Sequence, residues 1–393
     1  MDYLPLKSTK MITLIRSVGF STSLVFFSID TFAQENRLLE TLVVTATRSE
    51  TQLAKAPASI SVINREMLQQ INADDLADAL TAEAGLSISS VGSTRQGISI
   101  RGMPVEHTLY LVDGRRISSS NSVISHSDYE LSWLPDSAIE RIEVVRGPMS
   151  ALYGSDALGG VINIITRPPG DELYAEVSSM VTRGDDTSGA GSQKSSVYLA
   201  GPLVSNTLSF NLSAQKFSRD GLANEDVPLM SDIEARESQS AQGTLNWRPA
   251  EGQELILSYS FSDDERDRDV VTRSSNYTSS DKVDREQYGL SYRAEWRHDH
   301  VQLNAYSSRL DVKNSRTSGV KPSGPKKLTD IIIHGHIGTN RIQRHLLTVG
   351  GQVREESLQD ELFLQQQEAS ALHTGLFVQD EWQPSEQLMI VTG

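Results

Sequence analysis

The sequence predicts a membrane β-barrel preceded by a small α/β module. Three observations carry this reading. From Leu173 on, apolar and polar residues alternate in runs of about ten, the length a tilted strand needs to cross a bilayer. The connectors between those runs are short and long by turns, as in a barrel with tight turns on one side of a membrane and long loops on the other. Ahead of them lie ~110–120 residues in which helical and strand patterns mix, the size of an ordinary domain.

Composition narrows the function. The chain has 393 residues, 36 Lys+Arg against 51 Asp+Glu, a net charge of −15 and no cysteine. That length can bury a sizeable core, which excludes a disulfide-stapled miniprotein. Without cysteine there is no CxxC zinc site, iron–sulfur cluster or thiol nucleophile. The acidic balance argues against nucleic acid as a partner, because that binding needs a net basic face. No stretch approaches ~18–20 uninterrupted apolar residues, so no spanning helix is indicated. Barrel strands give a much weaker hydropathy signal and stay compatible with the sequence.

At the N-terminus, Lys7, Lys10 and Arg16 lead into an apolar stretch from Val18 to Ile29. Thr31-Phe32-Ala33 then offers small residues where a signal peptidase reads. Residues 1–33 are expected to be a secretory signal cut after Ala33, with Met1 or Met11 as the start. The alternative, a buried N-terminal helix, lacks an amphipathic pattern. Residues 34–54 hold Glu40, Thr41, Leu42, Val43, Val44, Thr45 and Ala46, a short β-branched run between polar flanks. It has what an added strand needs to dock on a partner's sheet edge. It reads equally as the first strand of the next domain.

The module is expected over 55–169. Ser59 to Ile63 alternates as a strand, and Asn64 can cap a helix carrying Met67, Leu68 and Ile71. Asp74 and Asp75 open a second helix with Leu76, Ala79 and Leu80 on one face. Short strands follow at Ile98–Arg101, Leu109–Val112, Ile139–Val145 and Val161–Ile165, with Asp113-Gly114 as a turn pair. Gly154 to Gly160 is glycine-rich but precedes its strand and lacks Gly-Lys-Ser/Thr, so it is no phosphate loop. Ser155 lies outside a G-x-S-x-G elbow. His107, His126 and His345 lack metal-ligand spacing, and His334 with His336 reads as a surface pair on one strand face. Neither catalytic nor metal-binding residues are indicated.

In 170–393 the alternation is clearest at Thr207–Ala214, Leu255–Phe261, Tyr288–Trp296 and Val301–Ala305. Short connectors lie near Val204–Thr207, Arg248–Gln253, Arg297–His300, Asn340–His345 and Gln383–Gln387. Long polar ones lie near Lys216–Ser240, Asp263–Arg285, Ser308–Thr329 and Glu355–Ser370. Trp247, Trp296 and Trp382 sit at strand ends beside short turns, as in the aromatic girdle of a barrel. A soluble β-sandwich with Trp in its core is the alternative, but sandwiches do not alternate loop lengths in this way. Ten strands and the start of an eleventh at Leu388–Val391 are expected. A strand cut at Gly393 would leave backbone groups that a bilayer cannot satisfy, so the sequence reads as the front portion of a longer barrel.

At this point four motifs, in order, resemble those of TonB-dependent outer-membrane receptors. Glu40–Ala46 is similar to the TonB box. The plug-like motifs are Ile98–Gly102 with Leu111–Gly114, then Ile139–Pro148, then Tyr153–Thr166. Within the family, Asn121–Pro135 looks most like the colicin I receptor, a catecholate ferric-siderophore receptor. The resemblance implies a 22-stranded type of barrel, here with its first ten to eleven strands, plugged by 55–169. It implies import of ferric catecholate siderophores from the Gram-negative outer membrane, energised when the box pairs with TonB and its inner-membrane complex. The iron chelate is cargo, so no cofactor is expected, and the chain is no enzyme. Lipid with lipopolysaccharide, and colicins or phage, are the further partners it implies. Arg95, Arg115 and Arg116 are candidates for the anionic chelate, because guanidinium forks match anionic oxygens. His126 lies in the plug segment that would reach the substrate, and Tyr129 and Trp133 could stack on catechol rings. The other reading of each arginine is a plug–barrel salt bridge, and Arg141 and Arg146 are read that way. Receptors for vitamin B12 or haem on the same scaffold, and a non-functional remnant, are the alternatives.

Overall fold

A computed structural model describes residues 43–44, 51–52, 59–71, 76–81, 83–90, 96–118, 130, 133–184, 190–317, 319–360, 368–385 and 387–393. The proposed signal, most of Glu40–Ala46, and Arg95, His126 and Tyr129 lie outside the described residues. The described residues begin with two short strands: β1 (Val43–Val44) pairs antiparallel with β2 (Thr51–Gln52).

The module follows as β3 (Ser59–Asn64), α1 (Arg65–Ile71), α2 (Leu76–Thr81), β4 (Leu86–Ser90), β5 (Gln96–Ile100), β6 (Thr108–Val112), β7 (Arg115–Arg116), β8 (Ile139–Arg146) and β9 (Gly160–Thr166). Asn64 caps α1 as its sequence suggests, with Oδ1 accepting from the Met67 amide at 2.9 Å. The main sheet runs β3-β8-β9-β6-β7, with β6 and β9 parallel, and β4 and β5 form a separate hairpin. Period-two alternation sends Tyr110 and Val112 to one face, where they pack with Ile142, Val144, Ile162, Ile164 and helix residue Leu80. Leu109 and Leu111 go to the other face and pack with Val145, Tyr153 and Val161. Asp113 and Gly114 both have positive φ, 50° and 74°, which closes the β6–β7 hairpin. Gly160 is required where β9 starts, because an added Cβ would lie 2.2 Å from the Val145 carbonyl oxygen.

The remaining strands are β10 (Tyr174–Thr182), β11 (Ser192–Val204), β12 (Leu208–Arg219), β13 (Leu222–Ala223), β14 (Ser231–Ile233), β15 (Ala235–Trp247), β16 (Gln253–Val271), β17 (Asn276–Trp296), β18 (Asp299–Arg316), β19 (Lys326–Thr339), β20 (His345–Asp360), β21 (Glu368–Ser385) and β22 (Leu388–Thr392). All but the small β13–β14 hairpin join one antiparallel sheet of 11 strands, each beside its chain neighbour. This is the wall the alternation predicts, including the eleventh strand at Leu388. The short connectors fall at 205–207, 248–252, 297–298 and 340–344, close to the sequence reading.

The wall is polar inside and apolar outside. On β16, Ser258, Ser260 and Ser262 are buried toward the module, while Leu257, Tyr259 and Phe261 are exposed on the other face. Leu290 on β17, Leu303 on β18 and Ile331, Ile333 and Ile337 on β19 continue the exposed apolar face. Such an inverted pattern fits a wall with lipid outside. Trp247, Trp296 and Trp382 stand exposed at the short-turn end.

The expected extent of the long connectors is corrected. The run Asp263–Arg285 is not a long loop: β16 and β17 pair through it, from Asp263↔Asp284 to Val271↔Asn276. What changes there is the outer face, from Leu257, Tyr259 and Phe261 to Asp263, Glu265, Asp267 and Asp269. Loss of apolar alternation marks the edge of the bilayer, whereas strand pairing needs no lipid and continues into water. The same applies at Ser308–Thr329 and Glu355–Ser370, where β18 reaches Arg316 and β20 reaches Asp360. Beyond that edge Asp263 and Asp284 face each other across the strands. Burial and the hydrogen bond with Asp263 push the Asp284 carboxyl above its ordinary range. Burial acts the same way on Asp263, but Lys282 at 2.7 Å outweighs it and holds that carboxyl below its ordinary range.

Leu257→Arg should therefore destabilise the wall by about 2–4 kcal/mol when unfolding from phospholipid vesicles is followed in denaturant, because it places a guanidinium in the apolar band. Glu265→Arg, beyond that band, should cost no more than about 1 kcal/mol.

Candidate functional site

The module sits against the inner face of the wall, and the contact between them is mostly polar. On the first wall strands, Arg65 donates to Glu176 at 2.7 Å, and Lys194 on β11 pairs with Asp136 at 2.7 Å. Arg167 also reaches Glu176, at 3.1 Å, and lies 3.7 Å from the centre of the Tyr198 ring.

The densest contact lies along residues 115–118, which climb the wall toward the long-loop end. Arg115 donates to Ser258 and pairs with Asp113 at 3.2 Å. Its guanidinium fits because residue 289 of β17 is glycine: an added Cβ there would lie 2.3 Å from Nη1. The Arg116 amide donates to the Tyr306 hydroxyl at 2.9 Å, and Gln287 Nε2 donates to the Arg116 carbonyl at 3.1 Å. The Arg116 guanidinium pairs with Asp156 and donates to the Tyr153 carbonyl at 2.6 Å. One step higher, the Ser118 hydroxyl donates to Asp330 at 2.5 Å and its amide to Ser308 Oγ at 3.2 Å.

Two wall arginines complete this network. Arg285 is 1% exposed. Its Nη1 donates to the Ser118 carbonyl at 2.6 Å, and its Nη2 lies 3.5 Å from Glu130, itself 0% exposed. Arg354 on β20 donates to Asp330 at 2.7 Å and lies 3.6 Å from Asp156. Plug and wall charges thus form one linked chain from Arg116 through Asp156, Arg354, Asp330 and Ser118 to Arg285 and Glu130. Buried charges of this kind are tolerable only when paired and hydrogen-bonded. The arrangement has the chemistry of a reversible closure: water can replace each contact if the two parts separate.

Comparison with known proteins bears on this arrangement. Residues 52–161 match the family model "TonB-dependent Receptor Plug Domain". The "Iron-regulated outer membrane virulence protein" of Vibrio cholerae serotype O1 is 33% identical over 391 residues, covering 96% of this chain and 58% of that protein. The chain thus carries the plug domain of TonB-dependent receptors and is similar to outer-membrane receptors over most of its length. The "Ferric enterobactin receptor" of Pseudomonas aeruginosa is 28% identical over 377 residues, covering 82% of this chain and 49% of that protein. A crystal structure of the ferric enterobactin receptor of Pseudomonas aeruginosa superposes with a TM-score of 0.75 at 23% identity, covering 89% of this chain and 58% of that one, a likeness of fold. The chain thus spans about half the length of these curated relatives. The module is the plug, the eleven strands are part of the barrel wall, and the protein is one of the outer membrane.

The receptor's geometry places the candidate residues as follows. Arg115 and Arg116 are 3% and 8% exposed; both pair with plug carboxylates, Asp113 and Asp156, and meet the wall through hydrogen bonds to Ser258, Tyr306 and Gln287, not through the plug–barrel salt bridge of the alternative reading. Trp133 is 2% exposed, in the plug core, with the Arg285 guanidinium 5.7 Å from its ring centre. Arg146 turns to Glu83 of the plug at 3.0 Å, not to the wall, and Arg141 pairs with Glu143 at 2.8 Å. His334 and His336 are not a surface pair: they point inward, 8% and 6% exposed. Glu130, Arg285, Asp330 and Arg354 are the members that sequence reasoning passed over. For Arg285, Asp330 and Arg354 the signal is a charged residue at an inward position of a wall strand; Glu130, in the plug, carries no such signal.

Removing one partner of the Arg285–Glu130 pair strands the other. Arg285→Ala should weaken plug–wall association by about 3–5 kcal/mol, seen as release of the plug at lower urea in limited proteolysis. Replacing both members with Arg285→Met and Glu130→Leu should restore most of the loss.

Proposed function

We propose that this protein imports ferric catecholate chelates across the outer membrane, with energy delivered by TonB. The supporting observation is a plug held in its wall by linked charges and hydrogen bonds, in a chain similar to a ferric enterobactin receptor of Pseudomonas aeruginosa. A ferric catecholate is strongly anionic and too large for a porin. In this reading, external loops and the plug segment bearing His126 and Tyr129 capture it, with Arg95 as a further cation. Arg115, Arg116 and Trp133 hold the plug in place, and their release accompanies transport. Residues 1–33 act as the export signal, 34–54 as box and linker, 55–169 as plug and 170–393 as wall.

The box at Glu40–Ala46 pairs with TonB by strand addition. Val43–Val44 pair with Thr51–Gln52 on one edge, and strand addition uses the other edge of β1. Pulling on this segment loads β3, the edge strand of the plug sheet. Short strands give a plug of low local stability, suited to partial unfolding. The chelate passes without chemical change, so the protein acts as a transporter. Lipopolysaccharide surrounds the wall, and colicins or phage are partners that could use the same surface.

Ferric enterobactin should quench the tryptophan fluorescence of the full-length receptor, and vitamin B12 and haem should not. Deleting Glu40–Ala46 should abolish iron-limited growth on that chelate while leaving its binding at the cell surface intact. Quenching by vitamin B12 or haem alone would refute the catecholate reading, and undiminished growth without the box would refute energised import.

A further inference from the structure

A cavity of about 300 Å³ lies between the plug and the inner wall at the short-turn end. Its lining holds five arginines, Arg115, Arg141, Arg167, Arg248 and Arg293, against two carboxylates, Asp113 and Glu254. Three of the five have a carboxylate of their own, Arg115 with Asp113, Arg141 with Glu143 and Arg167 with Glu176, whereas Arg248 and Arg293 share Glu254, so the net positive charge lies on that wall pair. The other large space between plug and wall, about 320 Å³ beside α1 and α2, is balanced: Arg65 and Lys194 face Asp136 and Glu176.

The two sets of arginines differ in what carries them. Arg115, Arg141 and Arg167 belong to the plug or its last turn. Arg248 and Arg293 belong to the wall: Arg293 is in the ladder near the end of β17, opposite Glu254, and Arg248 opens the turn after β15, where its amide donates to the Thr207 carbonyl at 2.7 Å. Both lie near one carboxylate, Glu254, at 3.5 Å and 3.7 Å. Their side chains are 46% and 44% exposed, open to the mouth of the lumen. Asn246 donates to the same carboxylate at 2.7 Å and adds polar lining.

We propose that Arg248 and Arg293 form a cationic exit station on the periplasmic rim, which receives the anionic chelate as it leaves between plug and wall on the β15–β19 side. This deepens the import reading and rests on it. The cavity lies at the lower limit of ligand-pocket volumes, so the chelate enters only after the plug shifts. When the plug moves it takes three of the five arginines with it, and the wall pair stays. Exposed cations at the mouth of a low-dielectric passage raise the local concentration of an anion and draw it through. The balanced space beside α1 and α2 offers no such gradient.

The test uses cells producing the full-length receptor, with radio-iron-labelled ferric enterobactin as the probe. The variants are Arg248→Glu/Arg293→Glu and Arg248→Lys/Arg293→Lys, compared at equal surface abundance. The Glu pair should lower the maximal uptake rate about tenfold or more, while surface affinity stays within about twofold, because the lost attraction acts after capture. The Lys pair should keep at least about half of the rate, since it preserves charge. An unchanged rate in the Glu pair overturns the proposal. So does loss of TonB capture by the Glu pair in detergent extracts, which would make this rim a protein-docking surface. A parent receptor that fails to bind the chelate at the surface overturns the import reading, and the exit station with it.

Discussion

The structure depends on one constraint: charges buried between plug and wall must find partners across that boundary. Arg285 and Glu130 are almost fully removed from water, on separate parts of the fold. Neither tolerates burial alone, because desolvation of a lone charge costs several kcal/mol. The pair therefore sets the height at which the plug sits. Ser118 and Asp156 of the plug extend the same rule to two further wall strands, through Asp330 on β19 and Arg354 on β20. An apolar interface of this area would hold the plug as firmly but without a preferred register. A polar one is specific, and it can be undone by water entering a few contacts.

The plug's own fold serves this boundary. The family motif at Leu111–Gly114 ends in a tight turn whose aspartate is fully used: Asp113 accepts from the Thr166 amide and hydroxyl, both at 2.9 Å. Gly114 donates to Asn163 Oδ1 at 3.1 Å. These bonds tie the β6–β7 hairpin to β9 and so aim Arg115 and Arg116 at the wall. The motif at Ile139–Pro148 behaves similarly. Glu143, buried at 0% exposure, is met by Arg141 inside the plug. The motif residues build the scaffold that presents the contacts, while most of the contacts on the wall side come from strands without any motif.

That division explains what could be read from the amino-acid order. The strands of the wall were legible because lipid on one face and plug on the other impose a strict period of two. The short turns were legible for the same reason, since each interrupts that period. The outer ends of β16 to β20 were not, because the bilayer edge ends the apolar alternation long before the backbone pairing ends. Among site residues, Arg115 and Arg116 were visible as cations beside a turn, but their burial depends on Ser258, Gly289 and Asp156, far away in sequence. Arg285 and Arg354 are ordinary inward polar positions until the plug is placed against them. His334 and His336 alternate with the apolar Ile331, Ile333 and Ile337 on β19, so the period of two assigns them to the inner face, and the surface reading missed that parity.

Gly289 has a wider consequence. The missing side chain there is the space that the Arg115 guanidinium fills. The inner surface of the wall is thus a mould, with a hollow cast for one particular projection of its plug. Chimeras that join the plug of one receptor to the barrel of another would have to conserve both the hollow and the reach of the residue that enters it. A larger residue at 289 would push the Arg115 guanidinium aside and break its hydrogen bond to Ser258, loosening the plug at the foot of its contact with the wall.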